Sequence, residues 1–478
     1  MDTQKTYEEI KKVLKEHRQS HLLAFWDQLS AAQRRNLLAQ IRQLDFAKID
    51  NWVTDCIKKP APAAISTDLV PASSYSPYPA DQQQQRKYAK AVERGRELIR
   101  QGRVAAFVVA GGQGTRLGFD GPKGNFPISP VKNKTLFQIF AESIAAASQK
   151  YHTLCPWYIM TSPLNHAETI EIFRSNDYYG LDDKNVFIFQ QGTLPDFSSD
   201  GEILLADKDR LSCSADGHGG SLKALYKSGA LEDMKRRGVE FVSYFQVDNP
   251  LINIFDPLFI GLHALDKAEM SSKAVIKTDP YEKVGNFCLV DGKVTVIEYS
   301  EFNTLPKNII EKRNTDDSPV FKLGSIAIHI INCAFLERLN AEGFSLPLHK
   351  AIKEVPHIDR QGNPVESDEP NSIKLESFVF DALPLALKSI ILQTVRSEEF
   401  APTKNATGVD SVETTRRMMV ARAADWLESA GAAVPKKPDG SINCILEIAP
   451  AFALENDDIK EKLNRIPEIK PGDRIYLA

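Results

Sequence analysis

Residues Val104–Gly124, VAAFVVAGGQGTRLGFDGPKG, hold the densest set of groups that could do chemistry. Gly111, Gly112, Gly114 and Gly118 fall in one short loop. Glycine lets backbone N–H groups approach an anion with no Cβ in the way. Arg116 and Lys123 place two fixed cations beside that loop. A polyphosphate is the ligand such a loop suits. The motif is not G-x-x-x-x-G-K-[ST], because no Lys-[ST] pair follows. It is not G-x-G-x-x-G either, because Leu117 stands at the third glycine.

Three other places could contribute. Tyr244–Asp248 is an apolar run that ends in a carboxylate. Mg²⁺ commonly takes one or two protein carboxylates and completes its octahedron with phosphate oxygens and water. Asp248 is therefore a candidate metal ligand, and capping of the Asn249-Pro250 turn is the other reading of it. A second glycine cluster, Asp216-Gly-His-Gly-Gly220, precedes a helix expected over 221–237, and a flat base could lie against its backbone. Gln191 could read an edge of that base by hydrogen bonding.

These residues need elements to position them. Val104–Ala110 is short, apolar and β-branched, as in a strand buried on both faces. Strands at 157–161, 186–190 and 241–247 alternate with helices at 135–150, 166–175 and 221–237. That order predicts an α/β fold, a mixed and mostly parallel sheet with helices on both faces. Ligands of such sheets sit beyond the carboxyl ends of the strands. The glycine loop, Gln190–Gly192 and Asp248–Asn249 all follow strands and should converge on one cleft. Short β-like runs between 272 and 330, with an Asp291-Gly292 hairpin turn, predict antiparallel strands alongside.

The first region, 1–85, reads as helical and then linker. Leu22, Phe25, Trp26 and Leu29 keep a helical stripe, and Ser30 with Gln33 reads as a capping box. Pro60–Pro79 reads as an extended linker, and Asp81 as the cap of a helix reaching about Gly102. The second region, 86–390, is the catalytic domain. The third, 391–478, is a small α+β domain with a helix over 411–430 and strands over 442–448 and 474–477.

The chain has 478 residues, too many for one hydrophobic core. Its 42% hydrophobic and 26% charged content is ordinary for a globular protein, and its net charge is −4. That balance favours neither nucleic acid nor membrane surfaces as partners. The six cysteines form no C-x-x-C pair and read as thiols. The N-terminus lacks a signal-peptide core, and no apolar run is long enough to span a bilayer. The expected location is the cytoplasm, as a monomer or weak homodimer.

The whole set AGGQGTRLG…PKG, WYIMTS, FIFQQGTLP, DGHGG, VDN, VIEYSE, IKLESFVFD and EFAPTKNAT resembles the UDP-N-acetylglucosamine pyrophosphorylase group of eukaryotic-type UDP-sugar pyrophosphorylases. The N-terminal helices resemble it too, and the likeness runs from about residue 20 to 430. The resemblance implies a nucleotide-diphospho-sugar transferase-like fold and a Mg²⁺-dependent uridylyltransferase, with Mn²⁺ able to substitute. Its substrates would be UTP and a hexose or hexosamine 1-phosphate. It implies that Gly111, Gly112, Gln191 and Gly217 hold uridine, that Arg116, Lys123 and Lys404 act on the phosphates, and that Asp248 holds the metal. It places Gly285, Glu298, Tyr299, Lys374, Phe378 and Phe380 around the sugar and its phosphate. Attack by an ionised phosphate needs no general base, which makes His218 a contact residue.

Two departures bear on the sugar. The family's D-G-N-G-G is DGHGG here, and Ser325 stands where the family carries an asparagine that touches the sugar. The expected product is UDP-N-acetylglucosamine, with the same chemistry on glucose or galactose 1-phosphate as the alternative. Two other classes compete: a nicotinamide-dependent oxidoreductase, opposed by Leu117 and the Arg116/Lys123 pair, and a non-catalytic sugar-nucleotide sensor, opposed by the intact Arg116, Lys123, Asp248 and Lys404.

Overall fold

The computed structural model describes residues 3–58, 69–341, 343, 346–365 and 369–478. It contains two compact units built from interleaved segments. One comprises residues 1–65, 192–221 and 345–381, and the other comprises 66–191, 222–344 and 382–478.

The larger unit is organised on a ten-stranded sheet. Strand Val104–Val109 lies at its middle, parallel to Phe241–Gln246 on one side and to Trp157–Thr161 on the other. Val186–Gln190 continues the parallel half to its edge. Burial on both faces is why these strands read as unbroken apolar runs: Val104 to Val108 and Trp157 to Met160 are all buried. The other half turns on Leu323–Asn332, which runs antiparallel to Phe241–Gln246, Met270–Ile276 and Gly285–Val290. The hairpin to Lys293–Ile297 closes through Asp291 and Gly292, both with positive φ, as a type I′ turn requires. Ser389–Gln393 adds a parallel edge beside Met270–Ile276.

Helix Gln82–Arg100 begins at Asp81, whose carboxylate accepts the Gln84 N–H, as expected. It packs against Pro257–Leu265 with backbones in direct contact. A Cβ on Gly95 would lie 1.9 Å from the Pro257 carbonyl oxygen, and one on Gly261 would lie 1.7 Å from that of Ala91. Helix Val412–Ser429, capped by Ser411, packs on the parallel pair Ile445–Ile448 and Arg474–Leu477 around Trp426, Leu427 and Leu446.

In the smaller unit, helices Thr3–Glu16, Ala31–Arg42 and Phe46–Trp52 cover a core that includes Leu14, Leu37, Phe197 and Ile373. The Ser30–Gln33 capping box is present. Buried Gln19 acts as a strand-like partner, donating to the Gly201 carbonyl and accepting from the Ile203 N–H, each at 2.9 Å.

Two expected helices differ. The stripe of Leu22, Phe25, Trp26 and Leu29 is buried, but along two short 3₁₀ turns, Ser20–Leu23 and Trp26–Gln28, with Phe25 and Leu29 flanking the second. The helix expected over 221–237 is two, Gly220–Lys227 and Ala230–Arg236, separated at Gly229 with φ +82°. Left-handed backbone cannot continue an α-helix, and glycine adopts it without strain. Of the linker read over Pro60–Pro79, residues 60–68 lie outside the described residues. Val70–Pro71 is a short edge strand paired with Cys288–Leu289.

Candidate active site

The glycine loop leaves the carboxyl end of the central strand and folds back on itself. Gly114 N–H donates to Gly121 O (2.9 Å), and Lys123 N–H donates to Gly112 O (3.1 Å). Gly118, at φ +68°, makes the reversal. Gly111 lies close to the third strand end, since a Cβ there would be 2.6 Å from Gln191 Oε1, the movable end of that side chain, and 3.3 Å from Ser162. That contact brings the first and third strand ends together, as expected for Gly111 and Gln191. Gly112 has open space beside it, its nearest neighbour being Lys123 Cδ at 4.0 Å.

Asn165 holds the loop from below and was not recognised in the sequence. It is buried, and its amide donates to Ala110 O (3.0 Å) and Gly112 O (3.3 Å). Its Oδ1 accepts from the Ser162 N–H at 2.9 Å. The pattern Ser162-x-x-Asn165 ahead of helix His166–Ser175 is the signal that was available.

The charged groups gather here. Lys123 Nζ lies 3.8 Å from Asp248 Oδ2, and both side chains are largely buried. Burial pulls the Lys123 pKa below its ordinary value, with the charges of Lys404 and Arg116 pulling the same way and Asp248 opposing. Arg116 and Lys404 therefore both lie within electrostatic reach of Lys123, as a site for a multiply charged anion requires. Residues 403–406 fasten the cluster. Thr403 N–H donates to Asp248 O (2.8 Å), and Ala406 N–H donates to Arg116 O (3.1 Å). Lys404 Nζ is 3.6 Å from Asp410 Oδ2. Thr403 is fully buried, and although it lies in the EFAPTKNAT motif it was not itself singled out.

Among the described residues no group of three acidic, His or Cys side chains could hold a metal by itself. A single carboxylate beside a phosphate-sized cluster of cations fits a hard cation that keeps its waters and shares phosphate oxygens with a nucleotide.

In the antiparallel half, Gly285 pairs directly with Ser325. A Cβ on Gly285 would meet Val296 at 2.6 Å and come within 3.7 Å of both Glu298 Oε2 and Ser325 Cβ. Glu298 caps the turn at Tyr299, accepting its N–H at 2.9 Å. These four predicted sugar residues form one wall.

The smaller unit holds Gly217, His218, Lys374, Phe378 and Phe380. Gly217, at φ +80°, leaves no room for a Cβ, which would sit 2.3 Å from Ser377 O. Its neighbour His218 stacks on Phe378 (5.2 Å, 25°) and meets Phe380 edge-on (5.7 Å). The Val379 N–H donates to His218 Nδ1 at 3.1 Å, so the ring is neutral with its proton on Nε2. Burial, with His349 nearby, pushes the His218 pKa down to about 4. Such a ring is a poor general base, in keeping with a contact role. Two further residues were missed in the sequence. His349 stacks on the Phe378 ring (4.3 Å) and pairs with Asp381 (2.9 Å), which also accepts the Phe378 N–H at 3.3 Å. Lys374 lies on strand Ser372–Glu376, opposite Ala351.

A mixed sheet with a glycine loop and Asp248 at its strand ends, and Lys123, Arg116 and Lys404 close by, suits nucleotidyl transfer. The chain belongs to the UTP–glucose-1-phosphate uridylyltransferase family, whose model matches residues 64–477. The match extends past residue 430, where the sequence resemblance stopped. The human UDP-N-acetylhexosamine pyrophosphorylase-like protein 1 is 36% identical over 471 residues, 92% of each chain. The UDP-N-acetylglucosamine pyrophosphorylase of Saccharomyces cerevisiae is 35% identical over 446 residues, 89% of this chain and 92% of that one. The crystal structure of the uridine diphosphate N-acetylglucosamine pyrophosphorylase from Trypanosoma brucei superposes with a TM-score of 0.81 at 25% identity, covering 100% of this chain and 98% of that one.

Proposed function

We propose that this protein joins UTP to N-acetylglucosamine 1-phosphate, forming UDP-N-acetylglucosamine and pyrophosphate. An oxygen of the sugar phosphate attacks the α-phosphorus in line, and pyrophosphate leaves; catalysis is positioning plus charge neutralisation. The observation that supports the reading is the largely buried pair of Lys123 and Asp248, with Lys404 and Arg116 within electrostatic reach of Lys123. Arg116 holds phosphate oxygens in a fork, while Lys123 and Lys404 act as point charges on the leaving group. Asp248 would hold Mg²⁺, or Mn²⁺ in its place, and the ion would neutralise phosphate charge. Gly111, Gly112, Gln191 and Gly217 are assigned to uridine, with His218 as a neutral contact. Gly285, Glu298, Tyr299, Ser325, Lys374, Phe378 and Phe380 are assigned to the sugar and its phosphate.

The N-acetyl sugar rests on the names of the relatives. The alternative, glucose 1-phosphate, is favoured by one observation: Ser325 faces Gly285 with a short hydroxyl where an amide would offer both a donor and an acceptor. Pyrophosphate release from UTP and Mg²⁺, measured with N-acetylglucosamine, glucose and galactose 1-phosphates, decides between them. A preference for the N-acetyl sugar supports the proposal, and a preference for a plain hexose moves the substrate. Release with none, from a folded protein that binds UTP, leaves a sensor.

We place the protein in the cytoplasm as a monomer or weak homodimer. Its six free thiols, four of them buried, and its modest net charge of −4 support this. Light scattering across a concentration series measures the oligomeric state.

A further inference from the structure

Lys273, in strand Met270–Ile276, is 1% exposed, and its ammonium is the centre of a buried ion cluster. Nζ donates to both carboxylate oxygens of Glu399, at 2.5 and 2.6 Å, and lies 2.7 Å from Asp256 Oδ2. All three of its donors are thereby used. Glu399 is buried too, and its oxygens also accept the Asn253 N–H (3.2 Å) and the Thr394 hydroxyl (2.8 Å). Asp256 caps helix Pro257–Leu265 by accepting the Leu258 N–H at 2.9 Å. The proposed chemistry does not use this cluster. Taking three charges out of water is costly, and such clusters add little stability over apolar side chains of the same volume. What the cluster does supply is fixed direction.

That direction leads to Asp248. The Glu399 carbonyl accepts the side-chain amide of buried Asn249 at 2.7 Å, and Asn249 Oδ1 accepts the Ala401 N–H at 3.0 Å. The Asn249 side chain thus pairs with 399–401 as a neighbouring strand would. Two residues on, the Thr403 N–H donates to the Asp248 carbonyl at 2.8 Å. Glu399 therefore grips segment 249–253 at both ends, Asn249 with its carbonyl and Asn253 with its carboxylate. Residues 401–404 lie in no strand and have no ladder to set their register. Lys273 does lie in the sheet, paired with Leu392, and its contact with Glu399 passes the register of the sheet to them.

We propose that Lys273 is a positioning residue for Asp248. Through Glu399 it fixes segment 249–253 and the 401–404 strap, and so sets where Asp248 presents its carboxylate. The effect on turnover rests on the uridylyltransferase reading, and the hold on the strap does not.

Hydrogen exchange read by mass spectrometry, alongside steady-state kinetics, tests this on the full chain. Lys273→Met leaves two carboxylates without their cation, so Lys273→Met combined with Glu399→Leu is measured beside it. The double variant keeps only the part-exposed Asp256 charge. Arg422, which donates to the carbonyls of Leu251 (2.8 Å) and Glu398 (3.1 Å), still joins the two segments in it. Its Tm should stay within a few degrees of wild type. Peptides covering 248–253 and 400–405 should exchange about tenfold faster, while strand Val104–Val109 exchanges as before. The kcat should fall about 10–10²-fold, with KM for UTP held within about threefold. In whichever variant folds, wild-type exchange over 400–405, or exchange quickened equally in the central strand, overturns the proposal. Faster strap exchange with kcat unchanged overturns the positioning of Asp248. A wild-type protein that releases no pyrophosphate refutes the reaction, and exchange still decides whether Lys273 holds the strap.

Discussion

The phosphate cluster of the larger unit and the ring stack of the smaller one treat charge in opposite ways. Beside Asp248, Lys123 is kept within reach of Lys404 and Arg116 although burial and the repulsion of both work against its charge. Around Phe378, two imidazoles flank one ring, and His218 is held neutral by a backbone N–H and by burial. The first arrangement stores unfavourable electrostatics that a polyphosphate relieves. The second removes charge, so that flat surfaces are what it offers. The difference teaches that one molecule can treat half-buried titratable groups as reagents in one place and as shaped surface in another.

Breaking the first arrangement should have the largest effect. Asp248→Ala should lower Mg²⁺-dependent turnover by about 10³-fold, since a metal's Lewis-acid contribution is worth several kcal/mol. Its circular dichroism should be unchanged, and full activity in this variant would sink the metal assignment. Lys123→Met should cost about 10²–10³-fold in kcat, the scale of one lost electrostatic donor. A loss confined to KM would show that Lys123 binds ground state and transition state equally.

The ring stack should answer to pH with a smaller signal. The folded pKa of His218, about 4, lies below the ordinary imidazole value of 6.5. Between those values the unfolded chain binds the proton and the folded one does not, so stability is complete above about pH 6.5 and falls as pH drops towards 4. His263, fully buried and also pushed down to about 4, acts in the same window. His218→Gln should therefore flatten the acid limb of Tm against pH in part, shifting Tm by a few degrees at pH 5 and leaving it level with wild type above pH 7. An identical acid limb in the variant would mean that His218 is charged when folded. Turnover should show no inflection from His218 between pH 5 and 8.

Much of this was legible beforehand, for local reasons. Trp157–Thr161, Val186–Gln190 and His166–Ser175 begin and end where the hydrophobic pattern places them, the first because a strand buried on both faces needs an unbroken apolar run. The glycine loop declared itself through composition. What stayed hidden was non-local. The smaller unit gathers 1–65, 192–221 and 345–381 through strands of two to five residues, too short for periodicity to register. Asn165 and Thr403 act through buried hydrogen bonds that no spacing rule encodes. Residue type and spacing do not set Lys404 apart from a surface lysine; the resemblance alone pointed to it, and the backbones of Thr403 and Ala406 tie its segment to Asp248 and Arg116. The break at Gly229 was readable, but the flanking helical pattern outweighed one glycine.

That tie has a consequence for how the protein is made. The backbone that completes the phosphate cluster is synthesised roughly ten to thirty seconds after Asp248, at ordinary ribosomal rates. During that interval the emerging chain already carries Arg116, Lys123 and Asp248. It still lacks the 403–406 strap that holds the Asp248 and Arg116 backbones in place. Nascent and truncated forms ending before residue 403 thus lack the strap on Asp248 and Arg116, and on the proposed reading nucleotide chemistry waits until residues 403–406 have been added.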